Sequence, residues 1–224
     1  MGGPPDEAVL LIHGLWMNGM EFGVLRRRLQ HEHGFDVHTF SYPTLHGNLQ
    51  SVCADLASDM QRIAASRVHA VAHSLGGAVL YRALQSCNAP LTGNAVLLAS
   101  PLAGCKAADG VAGHPWLRNL IGPHVLRELA GQHRRSLAGI GAVGAIAGTR
   151  RLGTGQFFAH FDEANDGTVA VRETLVPGLA DHIVLPHSHI GMLFAEDVAQ
   201  QVAHFLRRGS FRHEALETDG GRGA

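Results

Sequence analysis

One stretch of the chain, from Arg67 to Tyr81, joins a short apolar run directly to a helical pattern of small residues. The run ends at Ser74, with Ala72 two residues before it and Gly76 two residues after it. A serine in a tight strand-to-helix turn needs small neighbours, because the two backbones pass close together there. The stretch therefore predicts a buried strand, a sharp turn at Ser74 and a helix, with the serine hydroxyl at the carboxyl edge of a sheet.

Short apolar runs alternate with segments of helical period along the rest of the chain. Alternation at this spacing predicts right-handed crossovers and a parallel sheet with both faces covered by helices. Ligands of such sheets bind beyond the carboxyl ends of the strands, where Ser74 falls. The predicted strands are residues 8–12, 35–41, 68–72, 94–99, 143–147 and 181–186, and the longer predicted helices are residues 21–30, 48–66, 75–86 and 194–206.

The bulk properties are those of an ordinary globular protein. The chain has 224 residues, 46% of them hydrophobic and 17% charged, with a formal net charge of -1. This length favours a single α/β domain over 1–208, and the glycine- and charge-rich segment 209–224 is predicted to be a flexible tail. The small net charge argues against a nucleic-acid partner or a general membrane-surface binder. With no long apolar segment and no secretory signal, we expect no stable membrane insertion and a cytoplasmic location, and the oligomeric state stays open.

The cysteines and histidines do not form a recognisable metal or disulfide pattern. The cysteines are odd in number and far apart, which disfavours a disulfide framework. The two tight histidine pairs lack the further ligands that tetrahedral zinc needs, so no metal is expected. These residues are Cys53, Cys87 and Cys105, and the pairs His31 with His33 and His187 with His189.

A glycine pattern at Gly139, Gly141 and Gly144 formally matches the dinucleotide-binding fingerprint. That fingerprint must follow a strand and open a helix. Here the glycines follow a polar segment and lead into a predicted strand, 143–147. We therefore expect no dinucleotide and no other cofactor.

The turn at Ser74 resembles the nucleophile elbow G-x-S-x-G of the alpha/beta-hydrolase family, in particular its small lipases and esterases. Ala72 replaces the first glycine, and because alanine is small we expect only a slight effect on packing. The resemblance covers about residues 8–206 and implies a minimal alpha/beta-hydrolase fold of about six mainly parallel strands. Taken alone, Ser74 also suits a simple helix N-cap, so the rest of the chain must supply the other parts of a site.

Three more pieces of the chain match the family, and all four stand in the chain order that this family uses. His13-Gly14-Leu15 comes after the first strand, and by resemblance Leu15 and Leu75 would each offer a backbone N–H to an oxyanion. Asp166, in an Asp-Gly turn, is the candidate orienting acid. His189, in Ser-His-Ile-Gly after the last strand, is the candidate base, and His187 and His182 remain as alternatives.

The resemblance implies hydrolysis of a small-molecule carboxylic ester through an acyl-enzyme on Ser74. Trp16 and Trp116 are the predicted substrate-binding side chains. The irregular segment 102–136 is interpreted either as a lid or as a pair of helices that cover the sheet. An acyltransferase or a thioesterase would use the same residues, and a noncatalytic binding protein on this fold is the alternative from another class.

Overall fold

The computed structural model describes residues 6–45, 48–112, 122–152 and 161–213. Its six strands form one sheet in the order β2-β1-β3-β4-β5-β6, and every neighbouring pair is parallel. The predicted strands are confirmed, each to within one residue at either end. They are β1 (Glu7–Ile12), β2 (Asp36–Phe40), β3 (Arg67–His73), β4 (Ala95–Leu98), β5 (Val143–Gly148) and β6 (Asp181–Leu185).

The strand order reverses at β1, because the chain places β2 on one side of this strand and β3 on the other. Ile12 pairs with Ala72 in register, so the loops that leave β1 and β3 begin side by side. Such a switch point opens a crevice beyond the carboxyl ends of the strands. The fold therefore brings residues 13–15 and Ser74 to one crevice.

Helices cover both faces of the sheet. Val9 and Leu11 of β1 contribute to one hydrophobic core, and Leu10 and Ile12 contribute to the other. Burial on both faces is why β1 and β4 are continuous apolar runs in the sequence. The first core contains side chains of α1 (Gly23–His31) and α6 (Glu196–Arg208), and the second contains those of α2 (Leu49–Arg62), α3 (Leu75–Ser86), α4 (Lys106–Ala112) and α5 (Pro123–Leu129).

Local chemistry sets several helix ends. The Asn48 side chain accepts a hydrogen bond from the Gln50 N–H and so caps α2. This helix ends at Arg62, earlier than predicted, because Ile63 adopts an extended backbone. At the other end of the chain, Gly209 ends α6 with a φ of 75°, a left-handed conformation that suits glycine.

The glycine-rich segment before and within β5 has a packing explanation. Gly139 has a φ of 83° in the turn that leads to the strand. A Cβ added to Gly144 would lie 2.4 Å from the Phe205 ring of α6, so the strand and the helix require a glycine there. Since the glycines lead into a strand instead of opening a helix, the dinucleotide interpretation stays rejected.

Two predicted segments are only partly described. After β4, the structure describes α4 and α5, whereas the residues between them, 113–121 with Trp116, lie outside the described residues. In the predicted tail, Phe211 is buried, its ring centroid lies 4.6 Å from that of Phe205, and its N–H donates to Asp181. Residues 214–224 are outside the described part.

The described residues also bear on the membrane and on metals. None of their helices has the length and apolar character needed to cross a bilayer. All three cysteines are free thiols. No group of three or more histidine, cysteine, aspartate or glutamate side chains in this part of the chain is arranged to hold a metal ion.

Candidate active site

Ser74 lies in the turn between β3 and α3 with an unusual backbone conformation, φ 55° and ψ -121°. Such a conformation costs about 1–3 kcal/mol in a residue with a side chain, so its surroundings must hold it in place. The Ser74 N–H donates to the Leu98 carbonyl at 2.9 Å. The glycines after it allow close approach, because a Cβ on Gly76 would lie 2.4 Å from the Ile12 carbonyl oxygen and one on Gly77 would lie 2.3 Å from Ser100 Oγ.

Asp166 is fully buried in a turn that directs its two carboxylate oxygens to different partners. Oδ1 accepts hydrogen bonds from the N–H groups of Thr168 (2.9 Å) and Val169 (2.7 Å). The next residue in this turn has a φ of 95°, a conformation that favours glycine, which explains why Gly167 follows the aspartate. With Oδ1 occupied by backbone donors, Oδ2 faces His189.

His189 connects Asp166 to Ser74. Its Nδ1–H donates to Asp166 Oδ2 at 2.8 Å, and its Nε2 lies 3.0 Å from Ser74 Oγ. Because the carboxylate can only accept, the ring proton belongs on Nδ1 and leaves Nε2 free to accept the serine proton. The His189 N–H also donates to the Asp166 carbonyl at 3.0 Å, so two hydrogen bonds join these residues.

The two other candidate histidines point elsewhere. His187 Nε2 lies 2.8 Å from both carboxylate oxygens of Asp197 on α6. His182 Nε2 donates to Thr174 Oγ1 at 2.9 Å, near the amino end of β6. Of the three, His189 is thus the histidine that contacts Ser74.

Of the two predicted oxyanion residues, Leu75 directly follows Ser74, and Leu15 follows a glycine that packs against Ser74. Leu75 is the first residue of α3, where a helix leaves its N–H without an intrahelical acceptor. Gly14 lies against Ser74, because a Cβ built on it would be 3.1 Å from Ser74 Cβ. Leu15 follows that glycine and is half-buried.

His73 is a neighbour of the site that the sequence did not single out. Its ring is fully buried, its Nε2–H donates to the His189 carbonyl at 2.9 Å, and the two ring centroids are 4.7 Å apart. The pKa of His73 is well below its usual range, because burial removes hydration and His189 lies close by. A histidine at the end of an apolar strand carries no pattern signal, so only the structure identifies this contact.

Of the two predicted substrate-binding tryptophans, Trp16 belongs to the described part of the chain. Trp16 is 54% exposed, and its backbone N–H donates to Thr44 Oγ1 at 3.2 Å. Trp116 lies outside the described residues. A narrow cavity beside Leu75 has a volume of about 10 Å³ and is lined by Tyr42, Pro43, Thr44, Leu49, Val52, Leu75, His124 and Val125.

Two cavities of the described residues lie away from Ser74. One, of about 470 Å³, is formed by the end of α6 and His33, and another, of about 410 Å³, lies between α3 and α5. Neither is lined by Ser74, Asp166 or His189.

Buried neutral histidines make the free energy of unfolding depend on pH. Burial lowers the pKa of His13, His69 and His73 in the folded protein, whereas in the unfolded chain their pKa is about 6.5. Between the two values the unfolded state binds more protons, so stability falls as the pH drops below about 6.5 and is fully present above it. Each histidine contributes a slope of at most about 1.4 kcal/mol per pH unit. Urea unfolding between about pH 7.5 and pH 5 measures this slope. The slope should be smaller in His69→Gln. A free energy of unfolding that stays flat or rises toward pH 5 would contradict this prediction.

The fold and the site define an α/β protein with a parallel sheet and a serine, histidine and aspartate in hydrogen-bond contact at its carboxyl edge. The sequence profile of the alpha/beta hydrolase family matches residues 9–218. The chain belongs to the alpha/beta hydrolase family. No curated protein matches the chain in sequence.

Solved structures with the same fold include lipases and esterases. The lipase BlEst2 from Bacillus licheniformis aligns with a TM-score of 0.71 and 19% identity over 86% of this chain and 89% of that chain. Phospholipase PlaB from Legionella pneumophila aligns with a TM-score of 0.62 and 17% identity over 89% of this chain and 61% of that chain. The metagenomic carboxyl esterase MGS0156 aligns with a TM-score of 0.60 and 19% identity over 84% of this chain and 66% of that chain. At these identities the likeness shows the fold.

Proposed function

We propose that this chain is a serine hydrolase that cleaves carboxylic esters. The observation that supports this most is the pair of hydrogen bonds from Ser74 to His189 (3.0 Å) and from His189 to Asp166 (2.8 Å). Neutral serine is a weak nucleophile and needs an adjacent base to take its proton. In the proposal Ser74 is the nucleophile, His189 is the general base, and Asp166 holds the ring in the required tautomer and stabilises the imidazolium.

The proposed reaction has two halves. Ser74 Oγ attacks the ester carbonyl while His189 Nε2 takes its proton, and the N–H groups of Leu15 and Leu75 bind the oxyanion. Each donor would contribute about 3 kcal/mol in the transition state. His189 then protonates the leaving alcohol, and a water that it activates releases the acid from acyl-Ser74. This chemistry requires neither a metal nor an organic cofactor.

The proposed substrate is a small ester with an apolar acyl group. The exposed Trp16, next to Leu15 in the chain, and the apolar side chains that lie beside Leu75 support this choice. The names of the similar structures, a lipase, a phospholipase and a carboxyl esterase, point to the same bond type. A single domain over 1–208, a substrate contact from Trp116, a cytoplasmic location and the absence of a nucleic-acid partner remain predictions from the sequence.

The test compares wild type with Ser74→Ala, using a fluorophosphonate probe and p-nitrophenyl esters from acetate to palmitate. We expect wild type to be labelled and to turn over esters, and Ser74→Ala to do neither. Ser100→Ala is the matched control, because Ser100 lies at the same sheet edge but is buried against Gly77. Labelling without turnover would indicate acyl transfer or a narrow substrate. A folded wild type that gives neither signal would refute the enzyme and favour a binding protein.

A further inference from the structure

Both ring nitrogens of His13 have defined hydrogen-bonding roles. The ring is fully buried at the start of the loop that follows β1. The backbone N–H of Tyr42 donates to His13 Nε2 at 3.1 Å, so this nitrogen must be the acceptor. The proton therefore resides on Nδ1, which donates to the Gly14 carbonyl oxygen at 2.9 Å. Burial also lowers the pKa of His13, which keeps the ring neutral and Nε2 able to accept.

The Gly14 carbonyl belongs to the same peptide unit as the Leu15 N–H. This unit is planar and trans, so the carbonyl and the N–H point in opposite directions. A hydrogen bond that holds the carbonyl toward His13 thereby directs the Leu15 N–H away from His13. Glycine allows many backbone conformations, so this hydrogen bond restricts the rotation of the Gly14–Leu15 peptide.

The segment that follows β2 holds this arrangement from both sides. Tyr42 stacks on the His13 ring, with centroids 4.3 Å apart and planes at 11°, and its hydroxyl donates to the His13 carbonyl at 2.8 Å. Two residues later, Thr44 Oγ1 accepts from the Trp16 N–H. Contacts from one segment thus hold the chain just before and just after the Gly14–Leu15 peptide.

We propose that His13 is a positioning residue that sets the direction of the Leu15 N–H and so prepares the oxyanion hole. This inference rests on the proposed function, because an oxyanion forms only if Ser74 attacks an acyl carbonyl. His13 itself touches neither the substrate nor the reacting atoms. Its effect passes through one peptide plane, which makes it separable from the roles of Ser74, His189 and Asp166.

The test uses three substitutions that place a donor differently. His13→Asn puts an amide nitrogen where Nδ1 was, so it can still donate to Gly14. His13→Gln puts its amide one bond further out, near the position of Nε2, and His13→Leu has no donor. After correction for active sites by fluorophosphonate titration, we expect kcat to fall about 10²- to 10³-fold in the Leu and Gln variants with little change in KM, the loss typical of one oxyanion donor. His13→Asn should recover most of kcat.

A second measurement distinguishes positioning from stability. A trifluoromethyl ketone inhibitor adds to Ser74 and places an oxyanion in the same hole, so its inhibition constant should rise by the same factor as kcat falls. If His13→Leu does not fold, Tyr42→Phe removes only the hydroxyl that bonds the His13 carbonyl, and a severalfold loss in kcat is expected there. An active wild type whose Leu variant retains kcat would overturn the inference alone. An equal loss of kcat in the Asn and Leu variants, with unchanged inhibitor affinity, would also overturn the inference about His13 and leave the proposed function intact. An inactive wild type would overturn the proposed function as well.

Discussion

Alanine at Ser74 or at His189 is expected to lower kcat for ester hydrolysis about 10⁶-fold, and both replacements together should lower it no further, as in other enzymes whose triad acts as a unit. The reason is that the two side chains perform one step, the transfer of the Ser74 proton to His189 Nε2 across 3.0 Å. Removing either partner abolishes the step. Kinetics of the single and double variants, with correct folding checked by circular dichroism, measure the effect. Losses that multiply in the double variant would mean that the residues act independently.

The third member of the set should have a smaller effect. Asp166→Asn keeps an oxygen for the Thr168 and Val169 N–H groups but presents an NH₂ group to His189 Nδ1. The ring would then have to place its proton on Nε2, the wrong nitrogen for a base, and we expect a fall in kcat of about 10⁴-fold.

The chain offers a matched control for Asp166→Asn. Asp197 bonds His187 at 2.8 Å in an exposed pair of the same chemistry. Asp197→Asn should leave kcat within about twofold of wild type, because exposed pairs contribute little. Equal losses from the two aspartate variants would contradict the assignment of Asp166.

Gly76→Ala is expected to lower both the stability and the activity of the protein. The new Cβ would lie 2.4 Å from the Ile12 carbonyl oxygen and 2.7 Å from that of His13. These are backbone atoms at the end of β1, so α3 must move away from the strand and must carry Ser74 and the Leu75 N–H with it. We expect unfolding to become easier by about 3 kcal/mol, as for overpacked cores, and kcat to fall about 10²-fold.

A second glycine serves as the control for Gly76→Ala. Gly23 lies at the start of α1, and a Cβ there would have no atom within 4 Å. Gly23→Ala should raise stability slightly, by up to about 1 kcal/mol, because alanine favours helix. Urea unfolding and steady-state kinetics measure both variants. A Gly76→Ala protein as stable and active as wild type would show that α3 does not approach β1 so closely.

Much of the fold was predictable because a parallel sheet buried on both faces leaves a strong sequence signal. β1 and β4 are continuous apolar runs and β2 alternates apolar with polar residues, so these patterns identified all six strands, including the glycine-rich β5, which formally resembled a nucleotide-binding motif. The end of α2 was predicted less well, since the extended backbone of Ile63 depends on local angles that periodicity does not reveal. The order of the strands in the sheet leaves no signal in any single segment.

The candidate site was predictable in part. Ser74 and Asp166 belong to turns whose small or glycine neighbours are visible in the sequence, and the structure brings both into contact with His189. The side-chain contacts of His13 and His73 had no such signal. Both are buried histidines at the ends of strands, and their partners are a backbone segment after β2 and the carbonyl of His189.

The sequence by itself determined where the strands lie and where a serine meets a helix N-terminus, because both follow from short-range apolar patterns and small residues. Only the tertiary structure decided which histidine reaches Ser74. His187 and His189 are two residues apart in one loop, yet Asp197 of α6 binds the first and Asp166 binds the second. That choice depends on which carboxylates the packed helices and turns bring near, and distances between segments far apart in the chain exist only once the sheet has formed.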